Sequence, residues 1–265
     1  VIVDAEQMLL AEIFDEKPDA WWLAQLDAPL YIDQKSAILN ISDELFEQGV
    51  EKALSHNFWG VRRLALIRAA KHPGDFSAKV YELAQNDKKT KVKALAIDYL
   101  AQSENKDNYL AFYEENISSR SYAVAGSSLS ALSLINSDKS MEYASTLEKE
   151  AMNDLESSIS DVYASFGGAE KQSYFEAKMS NASNYDLYYL SDQFVTFMKN
   201  QELEVTLKAM PVLEQIAIDA TSWMVYVSKM RLENMKDHFV LVKKTNKDQV
   251  LSPQIDEVIL RIDTL

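Results

Sequence analysis

The sequence predicts an all-α protein in which pairs of helices stack as a right-handed α-α superhelix of the HEAT or armadillo type. The 265 residues include only six glycines and five prolines, which leaves few tight turns for a sheet-rich fold. Alanine, leucine, glutamate and lysine are abundant, and all four favour helices. Apolar stripes with helical spacing recur at intervals of roughly thirty residues, a period typical of two-helix repeats.

Residues 1–16 are expected to form the end of a preceding β-sandwich domain or a linker. The opening VIVDAEQMLL mixes β-branched residues in loose alternation, which predicts a short strand. A lone strand needs a partner sheet, so we expect the natural polypeptide to extend upstream. Pro18 then marks a helix start, and residues 17–265 are predicted to be the α-solenoid domain.

The repeat is clearest in FWGVRRLALIRAA, residues 58–70, which we interpret as the inner helix of one helical pair. Similar stripes follow at residues 91–102 and 121–135, and a weaker copy precedes it at residues 31–42. The first two strong copies align Val61 with Val92, Arg62 with Lys93, Leu64 with Leu95, and Ala65 with Ala96. Small alanines at helix crossings allow close approach, and more polar amphipathic helices lie between the copies.

After Asn136 the period becomes irregular. Residues 155–166 are compatible with a fourth inner helix, residues 166–171 with a turn, and the remainder with longer helices. Terminal units of a solenoid are commonly atypical because they cap the stack.

Charge and composition exclude several classes of partner. The formal net charge is −14 and no basic block occurs, so we predict no nucleic-acid partner. No run of 18 apolar residues is present, which predicts no membrane span. Cysteine is absent, so neither disulfides nor thiolate metal sites are expected. A cytoplasmic and a periplasmic location both remain open.

No catalytic or metal-ligating residue is predicted in this chain. The three histidines, His56, His72 and His238, lack the spacing of an H-E-x-x-H motif. The serine-rich segment 126–130 lies inside a helical pattern, where small residues serve close packing. Packing in the core or between helices is expected for the four tryptophans, Trp21, Trp22, Trp59 and Trp223.

Arg62, Arg63 and Lys93 are the candidate peptide-contacting residues. One interpretation is that they face a groove and bind a peptide carboxylate. The alternative is structural: Arg62 and Lys93 occupy matched positions in successive repeats and hold neighbouring acids or carbonyls. The tyrosine-rich segment 184–190 is a further candidate for lining a peptide groove.

The chain resembles the C-terminal part of zinc aminopeptidases of the aminopeptidase N type. The resemblance covers roughly residues 1–170 and is carried by VIVDAEQMLLAEI, DEKPDAWWLAQLDAPLYIDQKSAI, NFWGVRRLALIRAA, KVKALAIDYLAQ and SYAVAGSSLSAL. It implies a HEAT-like domain that closes over the active-site cleft and limits peptide access. The implied partners are the catalytic and β-sandwich domains of the same polypeptide, together with the peptide substrate.

The motifs that bind zinc and substrate in that family are all missing from this chain. The resemblance therefore places zinc in the full-length parent and no cofactor in this fragment. A free-standing HEAT-like scaffold that binds a protein partner is the alternative, and a helical enzyme with unrecognised acid chemistry is a third. An upstream reading frame containing H-E-x-x-H would favour the first interpretation over the second.

Overall fold

The computed structural model describes Met8 and residues 16–72, 74–219, 222–245 and 252–265. These residues form fifteen α-helices and three short 3-10 helices, and no strand is found among them. The predicted helical class is therefore confirmed. The strand expected within residues 1–16 lies outside the described residues, apart from Met8 and Glu16, and the predicted domain boundary at residues 16–17 stays a prediction.

Contacts between Cα atoms divide the chain into two units. The N-terminal unit comprises the described residues of Val1–Ile135 together with Met152–Leu155. The C-terminal unit comprises Asn136–Ala151 and the described residues of Glu156–Leu265.

The N-terminal unit is an array of helical hairpins. Its eight helices are α1 (Asp19–Gln25), α2 (Tyr31–Asn40), α3 (Phe46–Leu54), α4 (Trp59–Ala69), α5 (Ser77–Asn86), α6 (Thr90–Ala101), α7 (Leu110–Asn116) and α8 (Tyr122–Ser133). Each odd-numbered helix packs on the even-numbered helix that follows it. The even-numbered helices also contact one another in the order α2, α4, α6, α8. The predicted strong copies are α4, α6 and α8, so the expected two-helix repeat is present within this unit.

Aligned apolar residues of the repeat form the core between these helices. Val61 and Val92 are fully buried, and Val124 is only 2% exposed. The alanines at the next aligned position, Ala65 and Ala96, are also fully buried. A methyl group at this point lets neighbouring helices approach closely while the larger valines fill the space around it.

The described residues of the C-terminal unit contain seven helices. They are α9 (Ser137–Leu147), α10 (Asn153–Phe166, whose first residues belong to the N-terminal unit), α11 (Gln172–Asn181), α12 (Asn184–Lys199), α13 (Leu203–Asp219), α14 (Ser222–Thr245) and α15 (Ser252–Asp263). Of these, α12, α13 and α14 are longer than any helix of the N-terminal unit. The 24-residue helix α14 contacts α12, α13 and α15. The prediction of longer helices is confirmed for α12, α13 and α14, which have 16, 17 and 24 residues.

The turn predicted at residues 166–171 begins where α10 ends. The backbone nitrogen of Gly167 donates to the carbonyl oxygen of Tyr163 at 2.9 Å. A Cβ atom at Gly167 would lie only 2.6 Å from that same oxygen. Glycine is therefore needed here because the chain passes too close to the preceding helical turn for a side chain.

Candidate functional site

Arg62 on α4 connects two loops of the N-terminal unit. Its Nε lies 2.6 Å from Oδ2 of Asp87, and its Nη2 lies 2.9 Å from Oδ1 of the same carboxylate. Its Nη1 donates to the carbonyl oxygens of His56 at 2.6 Å and Asn57 at 2.9 Å. One planar guanidinium thus holds the loop before α4 against the loop before α6.

The Asp87 carboxylate is buried and fully engaged. Its side chain is 1% exposed, and Oδ1 also accepts from the backbone nitrogen of Lys89 at 2.8 Å. Burial by itself raises the pKa of Asp87, but the hydrogen bonds from Arg62 and Lys89 and the charges of Arg62 and Lys93 outweigh it and lower the pKa. Asp87 is therefore held as an anion at neutral pH.

Lys93 on α6 contacts the last turn of α5, just before the loop that contains Asp87. Its Nζ donates to the carbonyl oxygen of Gln85 at 2.6 Å, close enough to Asp87 to favour the charged carboxylate. The matched cations Arg62 and Lys93 thus converge on the α5–α6 connection, which is the structural role raised as an alternative. Their contact with peptide stays a prediction.

Arg63 is in a different situation. It is exposed, and the described residues include no hydrogen bond or ion pair to its guanidinium. Adjacent residues on a helix point about 100° apart, so Arg63 does not join Arg62 at Asp87. Of the three predicted peptide-contacting residues, Arg63 alone keeps its cation available within the described part of the chain.

Arg68 is a further polar contact that the sequence reasoning did not single out. Its Nη1 donates to the carbonyl oxygen of Ile38 and its Nη2 to that of Ile41 at 3.4 Å, so it closes the C-terminal end of α2. Its guanidinium carbon lies 5.2 Å from the centre of the Phe46 ring. The available signal was an arginine placed within the apolar stripe of α4.

A groove of about 620 Å³ lies beside the C-terminal halves of α4 and α6, and we call it the α4/α6 groove. Its apolar lining includes Leu66, Ile67 and Ala70 from α4 and its C-terminal cap, and Leu95 from α6. Its size falls within the range of about 300–1,000 Å³ that is usual for ligand sites.

Polar residues line the rest of the groove. They are Lys71, His72, Asp75, Ser77, Asp98, Tyr99, Gln102, Ser103, Glu104 and Asn105. The Tyr99 hydroxyl accepts from the backbone nitrogen of Phe76 at 3.2 Å and donates to the carbonyl oxygen of Gly74 at 3.3 Å. This double contact ties the start of α5 to α6 and so fixes one side of the groove.

Asp98 lies within this groove in an unfavourable electrostatic setting. Asp98 is exposed to solvent on one side and surrounded by protein atoms on the other. This burial raises the pKa of Asp98, the hydroxyl of Ser127 opposes the shift by donating a hydrogen bond, and the negative charge of Asp154 adds to it. The described contacts include no cation paired with Asp98.

The C-terminal unit presents a second feature, an exposed aromatic surface on α12 and α14. Tyr185, Tyr189, Trp223 and Tyr226 are each 45% or more exposed. Tyr188 joins them, because its ring centre lies 5.2 Å from that of Tyr189 and 6.3 Å from that of Trp223. We call these five residues the tyrosine surface.

The expected packing in the core or between helices is confirmed for Trp22 and wrong for Trp21, and Trp223, although exposed, lies beside Tyr188 of the neighbouring helix α12. Trp21 is 55% exposed and Trp223 is 45% exposed, whereas Trp22 is 5% exposed and lies in the core. Trp21 and Trp22 are neighbours on one short helix, so only one of them can face the core.

Metal ligands are not assembled in the described part of the chain, where no group of three or more histidine, aspartate or glutamate side chains could hold an ion. A helix capable of spanning a membrane is also missing from the described residues, in agreement with the predicted lack of a membrane span. No protein-family model matches this sequence, and neither does any curated protein.

Proposed function

We propose that the chain is the non-catalytic C-terminal domain of a zinc-dependent aminopeptidase, where it closes over the active-site cleft and limits peptide access. The observation that supports this most is the stacked array of hairpins in the N-terminal unit. Two of the segments that carry the resemblance, 57–70 and 91–102, correspond to α4 and to most of α6, which pack side by side in that array.

The physical role of such a domain is steric. Arg62 holds the loops before α4 and α6 together through four hydrogen bonds, and Lys93 adds one to Gln85 near the end of α5. A wall fixed in this way excludes folded or bulky substrates without any chemistry of its own. In this proposal zinc belongs to the catalytic domain, and no catalytic step is assigned to a residue of this chain.

The test compares the 265-residue chain with the natural polypeptide that contains it. We expect the natural polypeptide to carry zinc and to release nitroaniline from an aminoacyl-nitroanilide, and the 265-residue chain to release none. Zinc-dependent turnover by the 265-residue chain would contradict the non-catalytic assignment. A zinc-free, inactive natural polypeptide would contradict the aminopeptidase assignment.

The exposed tyrosine surface favours a second candidate, a free-standing scaffold that binds a protein partner. Large exposed aromatic clusters are uncommon on proteins without partners and are enriched at interfaces. Mapping the translation start separates the two candidates. A start codon directly before Val1 would support the scaffold, and a continuous upstream frame encoding a zinc-binding domain would support the aminopeptidase.

A further inference from the structure

The α4/α6 groove combines an apolar wall with unpaired negative charge. Leu66 is buried beneath the surface, Ile67 and Leu95 are partly exposed, and Ala70 is exposed beside them. An aliphatic group that covers this wall removes apolar surface from water, which is favourable for binding. It is also built from two neighbouring helices of the core, so its shape is set by the packing of the N-terminal unit.

The charge of the groove indicates what kind of aliphatic group is suitable. Asp75, Asp98 and Glu104 contribute three carboxylates against the single ammonium of Lys71, which leaves a formal excess of two negative charges with histidine neutral. Asp75 accepts from the backbone nitrogen of Ser77 at 2.9 Å and is partly satisfied. The described contacts pair no cation with Asp98 or Glu104.

The positions of these groups match a side chain that is aliphatic along its length and charged at its end. Leu95 and Asp98 on α6 and Gln102 at its C-terminal cap follow one another at helical spacing, so the carboxylate of Asp98 adjoins the apolar wall along the same face. Lysine and arginine bury their methylene stems on apolar surface and keep their charged heads in polar surroundings. A neutral apolar side chain would leave Asp98 unpaired, and an acidic one would be repelled.

We propose that the α4/α6 groove binds a lysine- or arginine-containing peptide segment, with the methylene stem on Ile67 and Leu95 and the cationic head at Asp98 and Glu104. This names the class of peptide that the domain engages, and its biological setting rests on the proposed function. Binding to the groove is nevertheless measurable without any catalytic domain, so the two proposals fail independently.

The test measures fluorescence anisotropy of short labelled peptides with the 265-residue chain. One peptide alternates alanine and lysine, and its matched control carries Nε-acetyl-lysine, which keeps the stem and removes the charge. We expect the acetylated peptide to bind about ten-fold more weakly, because it cannot form charge-assisted hydrogen bonds to the groove carboxylates. Equal binding of the two peptides would overturn the proposal.

Variants of the protein locate the binding. Asp98→Asn and Glu104→Gln each remove one groove carboxylate, and Ala70→Phe fills the groove while every charge is retained. The matched control is Glu51→Gln, which removes an exposed carboxylate on α3 outside the groove. We expect all three groove variants to weaken binding by several-fold and the control to leave it unchanged.

Two results would overturn the location. If Glu51→Gln weakens binding as much as Asp98→Asn does, the attraction is a general effect of the chain's net charge. If Ala70→Phe binds the lysine peptide as tightly as the unaltered chain does, the peptide lies elsewhere. Far-ultraviolet circular dichroism of each variant verifies that it is folded, and Ala70→Phe and Asp98→Asn test the groove by unrelated changes.

A competition experiment adds free spermidine to the bound lysine peptide at an equal concentration of positive charge. Complete displacement of the peptide would assign the groove to small polyamines and overturn the peptide assignment.

Discussion

Arg62 and Asp87 form a two-point ion pair, with Nε–Oδ2 at 2.6 Å and Nη2–Oδ1 at 2.9 Å, between residues 25 positions apart in the chain. The same guanidinium binds the carbonyl oxygens of His56 and Asn57. Arg62 therefore satisfies polar groups of two consecutive hairpins at once. A lysine at this position would be unable to reproduce the planar, forked set of donors.

Replacement of Arg62 is expected to destabilise the N-terminal unit. Arg62→Ala leaves the Asp87 carboxylate buried without its partner, which typically lowers the free energy of unfolding by about 3 kcal/mol. Urea denaturation followed by circular dichroism measures the change. Arg63→Ala is the matched control, because Arg63 is exposed and should change stability by less than about 0.5 kcal/mol. Equal effects of the two substitutions would contradict the role given to Arg62.

The stability contributed by Asp87 should disappear in acid. Because the folded protein lowers the pKa of Asp87 below its ordinary value of 3.8, its contribution is present above that pH and is lost as the pH falls through the lower, folded-state pKa. The difference in urea midpoint between the unaltered chain and Asp87→Asn should therefore be large at pH 7 and shrink below about pH 4. A difference that stays constant across this range would show that the charge of Asp87 is unimportant.

Asp98 should show the opposite dependence. The folded protein raises the pKa of Asp98 above 3.8, so its favourable contribution is complete below pH 3.8 and is lost as the pH rises through the folded-state pKa. Asp98→Asn removes the ionised form and should raise the thermal midpoint at pH 7 but leave it nearly unchanged at pH 3. A midpoint lowered by this substitution at pH 7 would contradict the unfavourable setting described for Asp98.

The alanine at the helix crossing should not tolerate a larger side chain. Ala96 is fully buried at the aligned position of the repeat, so Ala96→Leu should lower the free energy of unfolding by about 1–3 kcal/mol through overpacking. Ala111→Leu on α7 makes the same chemical change at an exposed position and should be nearly neutral. Urea denaturation of the two variants compares them directly.

The glycine pair after α10 offers a similar comparison. A Cβ at Gly167 would meet the backbone oxygen of Tyr163 at 2.6 Å, whereas a Cβ at Gly168 would meet the flexible carboxylate of Glu170. Gly167→Ala should therefore lower the free energy of unfolding by about 1–2 kcal/mol and reduce the thermal midpoint. Gly168→Ala should change both quantities little. A larger loss for Gly168→Ala would contradict this account of the turn.

Much of the N-terminal unit was predictable because its core pattern is local. Three equivalent helices are marked by a buried valine at the matching position, namely Val61, Val92 and Val124. The spacing of apolar residues within each helix follows from its 3.6-residue period. The same pattern was insufficient for the tryptophans. Trp21 and Trp22 both suit a core, and only the packing of α1 on α2 decides which one faces inward.

The candidate site was less predictable because its parts are distant in sequence. Arg62 was recognised, but nothing in its neighbourhood identified Asp87 among 41 acidic residues as its partner. The groove carboxylate of Asp98 was not recognised at all. Its surroundings come from Ser127 and Asp154 on other helices, and such neighbours are unknown until the hairpins are stacked.

The sequence by itself determined the helical class, the hairpin repeat of the N-terminal unit and the acidic character of the chain. These features depend on composition and on the spacing of apolar residues along single helices, and both can be read without knowing the tertiary contacts. Only the tertiary structure decided which cations are engaged and which carboxylates stay unpaired. Arg62 and Arg63 are chemically identical neighbours, yet the first faces Asp87 and the second faces solvent. The difference arises from the direction in which each side chain leaves the helix relative to the next hairpin, and the stacking of hairpins sets that direction.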